Sequence, residues 1–277
     1  MTVGVELVRR ADQRRRWHEV GRVLFADEPR WAPPLRSYET WLVSGRHPYR
    51  RSTGAALQRW VARGRGRIAA HHVEGDDVAW FGAVEAADDD ALVAALVEAA
   101  AGWAAERGAR VLRGPALYLP DDGDAGVLVS GFDHRGGTAR PWHPPWYAEH
   151  LGAAGLVPWG DPLPRWRLQP AGVRQPVAPD GLRHTRPPHA GRLADPDLVL
   201  PGIAAVPDVS GIARRQRPTE AAVVLLDGDP AVLVPQLLAA AAGRYDAVWA
   251  PWSPDPGRPP DTLHRLFEMV ADRNRPI

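Results

Sequence analysis

The chain has 277 residues and a mass of 30.2 kDa, and its 45% hydrophobic and 24% charged residues are typical of a globular protein. All 34 basic residues are arginines and the chain contains no cysteine, which excludes Schiff bases, P-loop lysines, thiolate nucleophiles and thiolate metal sites. A net charge of +1 provides no overall field to attract nucleic acid or an anionic membrane. We expect a cytoplasmic protein without a nucleic-acid or membrane partner.

The first part of the sequence predicts strands and helices in mixed order. The elements are a strand over 3–8, helices over 12–25 and 35–44, strands over 56–63, 67–73 and 78–84, a helix over 89–107 and a strand over 110–113. Gly64 and Gly66 favour a hairpin between the second and third strands. A long helix between two strands predicts a crossover that sets those strands parallel and adjacent.

The second part divides into three regions. A loop-rich stretch leads to a helix over 145–154 and one or two strands over 156–168. Residues 170–218 are rich in Pro, Arg and His with little periodicity, which predicts a linker and irregular structure. The remainder predicts a strand over 221–226, a helix over 230–242, a strand over 246–250 and a helix over 261–273. We therefore expect a domain over 1–169, the linker, and a small α/β unit over 219–277.

Several separated segments carry a resemblance to a known family. They are DEPRWAPPL at 27–35, WFGAVE at 80–85, WAAERGA at 103–109, RGP at 113–115, GVLVSGFD at 126–133 and PPWY at 144–147. In this order they resemble a group of bacterial proteins of the GNAT superfamily of N-acetyltransferases, over roughly residues 1–168. The resemblance implies an α/β fold with a mixed α+β sheet, to which the smaller C-terminal β-α-β-α unit is added. It also implies acetyl-CoA or another acyl-CoA as cofactor.

The expected cofactor loop departs from the family pattern. Typical members bind the CoA diphosphate on backbone amides at the start of the long helix, behind a glycine-rich loop. The corresponding residues 85–91 read EAADDDA, so the backbones of Asp89, Asp90 and Ala91 are the candidate cofactor-binding groups. No glycine lets a phosphate approach, and aspartates stand where the anion would lie. The simpler interpretation is that Asp88 or Asp89 caps the helix.

Polar and aromatic residues are concentrated in the predicted loops over 118–150, which follow a parallel strand where open α/β sheets place ligands. His143 is the candidate general acid or base, with Asp133 to orient it. Trp142 and Trp146 can form the walls of a site for a planar or apolar substrate. The other candidate substrate-binding residues are Tyr118, Asp121 and His134. The alternative to a substrate site is that these residues form a rigid loop whose tryptophans cover the edge of the sheet.

Two further catalytic candidates follow from the resemblance. Typical members place a tyrosine, which can protonate the departing CoA thiolate, where this sequence has Leu151; Tyr147 lies one helical turn earlier. Glu85 ends the strand over 78–84, near where many members place a general base, and burial there would raise its pKa. The alternatives are that Tyr147 packs with its hydroxyl satisfied and that Glu85 belongs to the helix cap.

The remaining charged residues give weaker indications. No spacing of His, Asp or Glu predicts a metal site. His71 and His72 are adjacent on a predicted strand, so they point to opposite faces and do not favour one shared metal. Arg63, Arg65 and Arg67 flank the hairpin; they either bind a carboxylate or phosphate or form solvated ion pairs.

Three functions agree with these observations. The first is a GNAT-type acyltransferase that moves an acyl group from a CoA or carrier-protein thioester to an amine of a small metabolite. The second is a GNAT-fold enzyme that has lost CoA and performs acid–base chemistry, such as rearrangement, cyclisation or hydrolysis, in the aromatic cleft. The third is a non-catalytic module that binds a ligand. The sequence leaves the substrate and the oligomeric state open.

Overall fold

The computed structural model describes residues 3–34, 36–118, 125–137, 140–170, 183–184, 198–201, 203–207 and 220–270. Asp121 and most of the predicted linker over 170–218 lie outside these residues. Within the described ranges, no helix is both long and apolar enough to cross a membrane.

Helices and strands alternate along the described chain. The helices are α1 (Ala11–Leu24), α2 (Arg36–Leu42), α3 (Pro48–Thr53), α4 (Asp90–Ala105), α5 (Tyr147–Ala153) and α6 (Pro230–Ala241). The strands of the first part are β1 (Glu6–Leu7), β2 (Ala56–Ala62), β3 (Gly66–His72), β4 (Val78–Ala86), β5 (Val111–Gly114), β6 (Val127–Ser130) and β7 (Val157–Leu168). The later strands are β8 (Arg183–His184), β9 (Leu198–Leu200), β10 (Ile203–Pro207), β11 (Glu220–Leu226), β12 (Ala247–Ala250) and β13 (Thr262–Val270).

The strands form one extended mixed sheet. Neighbours follow the order β1-β2-β3-β4-β5-β13-β7-β12-β11-β10-β9-β8, and β6 pairs with β13 beside this row. The predicted hairpin is confirmed, because Trp60 of β2 lies opposite Ile68 of β3 in an antiparallel register. The predicted crossover is confirmed as well, because β4 and β5 are parallel with Val78 opposite Val111. The mixed α/β fold class is therefore confirmed.

The sheet has two covered faces in its first part. Ile68 packs in the apolar cluster that contains the buried residues of α4, and the next residue, Ala69, packs in the cluster that contains Trp17 of α1. Successive strand residues point to opposite faces, so α1 and α4 lie on opposite sides. We call these sides the α1 face and the α4 face. α4 is apolar around most of its circumference, which is typical of a helix buried against a sheet.

The second part repeats the central arrangement of the first. β10 and β11 are antiparallel, and α6 then connects β11 to the parallel strand β12. The same order of an antiparallel pair, a helix and a parallel strand is found in β3, β4, α4 and β5. Each connecting helix also begins with an aspartate cap: Asp89 accepts from Leu92 N, and Asp229 accepts from Ala231 N.

The last described element is a strand where a helix was predicted. The helix predicted over 261–273 is wrong, because Thr262–Val270 forms β13. This strand lies between β5 and β7 and pairs antiparallel with both. Leu263, Leu266, Phe267 and Val270 have helical spacing, but two neighbouring strands supply backbone partners along β13, so tertiary contacts outweigh the local pattern. A strand from the predicted C-terminal unit therefore completes the sheet of the first part.

Candidate functional site

The N-terminus of α4 is closed by carboxylates. Asp89 caps the helix, because its side chain accepts from Leu92 N at 3.0 Å. The same carboxylate pairs with the Arg65 guanidinium. The Leu92 N–H and Arg65 together hold the pKa of Asp89 below its ordinary value. The prediction of an aspartate cap is thus confirmed, and the carboxylate is ionised where a bound anion would compete with it.

His150 of α5 joins the two aspartates on either side of the cap. Its Nε2 atom lies 2.7 Å from Asp88 Oδ1, and its Nδ1 atom contacts Asp90 Oδ1. The Asp88 and Asp90 side chains are 66% and 67% exposed, whereas that of His150 is 11% exposed. This arrangement fastens α5 to the start of α4. We call Asp88, Asp89, Asp90, Tyr147 and His150 the α4 corner.

Tyr147 is the most deeply buried residue of the α4 corner. Its hydroxyl accepts from Ala86 N at 2.6 Å, and the residue is almost completely buried. Burial, reinforced by the negative charge of Glu85, raises the pKa of the phenol above its ordinary value. Trp146 stacks on the Tyr147 ring with centroids 4.5 Å apart. The phenol is therefore neutral and joins α5 to the end of β4.

His143 lies beside Tyr147, but its polar contact is with the backbone. The two rings are 5.3 Å apart, and Leu128 N donates to His143 Nδ1 at 3.3 Å. Burial lowers the pKa of His143 to about 4, so the imidazole is neutral at pH 7. Asp133 is exposed in the turn after β6. These two described residues share no hydrogen bond, so Asp133 does not orient His143 in this structure.

The other candidates in these loops occupy two separate places. Trp142 is buried and donates from Nε1 to Phe132 O at 3.0 Å. His134 packs edge-on against Trp249 of β12, 5.6 Å between centroids. The loop therefore brings His143, Trp146 and Tyr147 together, whereas His134 faces the second part of the chain.

Tyr118 lies on the α1 face among imidazole and phenol rings. It stacks on His47 at 4.3 Å and lies 5.1 Å from both Tyr49 and His71. Burial, only partly opposed by the backbone of Leu117, lowers the pKa of His71 to about 4. The cluster is a packed aromatic core of neutral rings. His47 and Tyr49 were missed from the sequence, where nothing links them to position 118.

Glu85 lies in a buried charge network on the α1 face. Its Oε2 atom is 2.7 Å from Arg67 Nε, and Arg67 Nη1 is 2.6 Å from Glu39 Oε1. Glu39 Oε2 in turn lies 2.7 Å from His18 Nδ1. We call these four residues the Arg67 network. All four side chains are at least 88% buried, and Arg67 also lies 4.4 Å above the Trp17 ring.

The pKa values in the Arg67 network follow from burial and proximity. Burial raises the pKa of Glu85 above its ordinary value, and Arg67 offsets only part of this. Burial disfavours the charge of Glu39 too, but Arg67 and His18 outweigh it and hold the pKa of Glu39 below its ordinary value. α1 covers Glu85 so closely that Gly21 faces its carboxylate. Glu85 is thus paired and enclosed.

A metal centre has no support in the described residues. No group of three or more His, Asp or Glu residues in the described ranges is arranged to hold a metal ion. The chain contains no cysteine.

Comparison with known proteins identifies the fold. No family model matches the chain. Protein YghO of Escherichia coli (strain K12) is 33% identical over 153 residues, which are 52% of this chain and 38% of YghO, so the chain spans well under half of that relative. Among solved structures, the chain resembles the tandem GNAT protein from the clavulanic acid biosynthesis pathway (without AcCoA), with a TM-score of 0.59 and 15% identity over 96% of this chain and 98% of that one. The likeness covers both parts of the sheet, and the chain therefore has the GNAT fold.

Proposed function

We propose that this chain is a GNAT-fold protein that binds a small-molecule ligand and does not take acetyl-CoA or another acyl-CoA at the N-terminus of α4. The observation that carries the proposal is the α4 corner. A diphosphate binds a helix N-terminus through free backbone N–H groups and the positive end of the helix dipole. Here Asp89 already accepts from Leu92 N, and two exposed carboxylates flank it. These residues do not fit a diphosphate.

Two further contacts support the proposal. The backbone N–H of Ala86, which ends β4 beside the corner, donates to the Tyr147 hydroxyl. α6, the corresponding helix of the second part, also begins at an aspartate cap, and Pro230 supplies no N–H at its first position. At both helix starts a capping aspartate therefore already accepts a backbone N–H that a phosphate would need.

The described candidates favour binding over acid–base turnover. His143 Nδ1 accepts a backbone N–H, so its proton is on Nε2 and the ring is a poor base at neutral pH. Tyr147 uses its hydroxyl on Ala86, and its pKa is raised. Glu85 is enclosed by α1 and paired with Arg67. None of these three groups is placed to exchange a proton with a ligand.

A second function is favoured by the fold alone. The tandem GNAT protein that this chain resembles is described in relation to AcCoA. That likeness supports acyl transfer from a CoA or carrier thioester to an amine of a small metabolite. Such activity would need the donor to bind somewhere other than the α4 corner.

Calorimetric titration with acetyl-CoA and with CoA tests the proposal. We expect no saturable binding to the full-length chain up to about 1 mM, with folding checked by circular dichroism. The double variant Asp88→Asn with Asp90→Asn removes two exposed negative charges and should raise the affinity for CoA. Glu98→Gln, on the exposed side of the same helix, is the matched control and should leave it unchanged. Saturable micromolar binding of acetyl-CoA to the unaltered chain would overturn the proposal and favour acyl transfer.

A further inference from the structure

We propose that Arg135 anchors a binding site for a small organic carboxylate, in the loop between β6 and α5. This site is separate from the α4 corner. It deepens the proposed function by naming a ligand class, and it rests on that function only in assigning the chain a small-molecule ligand.

The observation is a buried guanidinium edge without an acceptor. Arg135 is half-buried, and its Nε and Nη2 atoms are shielded from solvent. Neither atom has a hydrogen-bond partner or an ion pair within the described part of the chain. A buried, permanently charged donor without an acceptor costs free energy, and folded proteins rarely leave one unpaired. An acceptor supplied by a ligand would remove that cost.

The same edge binds carboxylates elsewhere in this protein. Nε and Nη2 lie side by side on the guanidinium, and together they match the two oxygens of a carboxylate. Four described arginines use this edge on an acidic side chain: Arg30 on Glu28, Arg110 on Asp77, Arg113 on Glu268 and Arg167 on Glu220. Arg135 presents the identical pair of donors. Its chemistry therefore points to a carboxylate as the missing acceptor.

The backbone that carries Arg135 is held in place. Gly136 N donates to Arg30 O at 2.7 Å, and Arg140 Nη1 donates to Arg135 O. A Cβ on Gly136 would lie 2.6 Å from Trp142 N, so the loop packs directly on the following segment. A fixed backbone lowers the entropic cost of binding, because the loop does not have to be ordered by the ligand.

The surroundings favour an organic anion with a planar body. Arg140 lies 3.6 Å above the Trp249 ring, and His134 packs against the edge of the same ring. Asp133 is exposed, and its charge acts on Arg30. Since Arg140 donates to the Arg135 carbonyl, positive charge and the Trp249 ring lie next to the loop that carries Arg135, and a carboxylate attached to a flat group fits both. Inorganic phosphate offers no apolar part to these rings.

Titration of the full chain with four probes tests the site. Benzoate should bind saturably and more tightly than acetate or inorganic phosphate, whereas methyl benzoate, which lacks the charge, should not bind. Arg135→Lys keeps the charge but loses the paired donors, so it should weaken benzoate binding about tenfold, and Arg135→Gln should weaken it more. Arg107→Gln, at an exposed arginine after α4, should bind benzoate as the unaltered chain does.

A stability comparison provides a second readout that does not require a ligand. Arg113 is paired with Glu268, so Arg113→Met should lower the melting temperature. If the Arg135 edge has no internal acceptor, Arg135→Met should leave the melting temperature unchanged or raise it.

Four results would overturn the proposal. These are no saturable benzoate binding to the unaltered chain, equal benzoate binding by Arg135→Gln, binding of phosphate at least as tight as that of benzoate, and a loss of stability in Arg135→Met equal to that in Arg113→Met. The acetyl-CoA titration is a separate measurement, so failure of the α4-corner proposal and failure of the Arg135 site are distinguishable.

Discussion

Replacing Gly21 with alanine tests whether Glu85 is held by Arg67 beneath α1. Alanine is ordinarily the better helix residue, by about 1 kcal/mol relative to glycine. At this position, however, an added Cβ would lie 2.3 Å from both Glu85 carboxylate oxygens and 2.4 Å from Cδ. Real Cβ contacts do not fall below 3.0 Å, so the carboxylate has to move.

The expected loss of stability follows from the contact that the displaced Glu85 carboxylate would lose. Displacing the carboxylate disrupts its 2.7 Å contact with Arg67 Nε, in a network where both side chains are almost fully buried. Breaking a buried ion pair costs about 3–5 kcal/mol, because the remaining charge is left without its partner. The gain in helix propensity offsets about 1 kcal/mol. We therefore expect Gly21→Ala to lower the free energy of unfolding by about 2–4 kcal/mol.

The free energy of unfolding in urea is measured for four variants: Gly21→Ala, Gly102→Ala, Glu85→Ala and the Gly21→Ala/Glu85→Ala double variant. Gly102→Ala, in α4, is the control, because a Cβ there meets nothing within 4 Å, and it should stabilise the chain by up to about 1 kcal/mol. In a Glu85→Ala background the steric conflict disappears, so Gly21→Ala should cost little, and the double-mutant cycle isolates the coupling. A Gly21→Ala variant as stable as Gly102→Ala would refute this reasoning.

Two further predictions concern the buried polar groups. Tyr147→Phe leaves the Ala86 N–H without its acceptor and should lower the free energy of unfolding in urea by about 1–3 kcal/mol; an unchanged value would contradict the 2.6 Å hydrogen bond. The pKa values of His71 and His143 are lowered to about 4 and that of His264 to about 3, against about 6.5 when unfolded. The unfolded chain therefore binds more protons, so their contribution to stability is complete above pH 6.5 and is lost progressively down to about pH 4. His143→Gln should reduce the slope of unfolding free energy against pH in this window, and an unaltered slope would show that His143 is not held neutral.

The sequence predicts the crossover well because its signals are local. An aspartate before an apolar helix indicates the start of α4, and Gly108 indicates its end. β13 could not be predicted in the same way. The spacing of Leu263, Leu266 and Phe267 fits a helix, and the strands that determine its conformation, β5 and β7, are about 100 to 160 residues away in sequence.

The candidate site shows the same division between local and distant causes. The cap at Asp89 follows from neighbouring residues, and it was predicted. The Arg67 network unites residues from α1, α2, β3 and β4, so no short motif contains it. Strand alternation alone places Arg67 and His71 on one face of β3, which is the signal that was available. It shows that Arg67 shares a face with His71, but not that Arg67 pairs with Glu39.

The C-terminal strand determines how the α4 corner is built. β13 pairs with β6, whose Leu128 N–H donates to His143, and His264 of β13 donates from Nε2 to Pro141 O at 2.9 Å. These contacts fix the segment immediately before α5, and α5 carries Tyr147 and His150 to the start of α4. Tyr147 and His150 are therefore positioned by a strand more than 100 residues later in the chain, whereas the Asp89 cap is local. The α5 side of the α4 corner thus depends on the complete sheet, including the strand that the second part supplies.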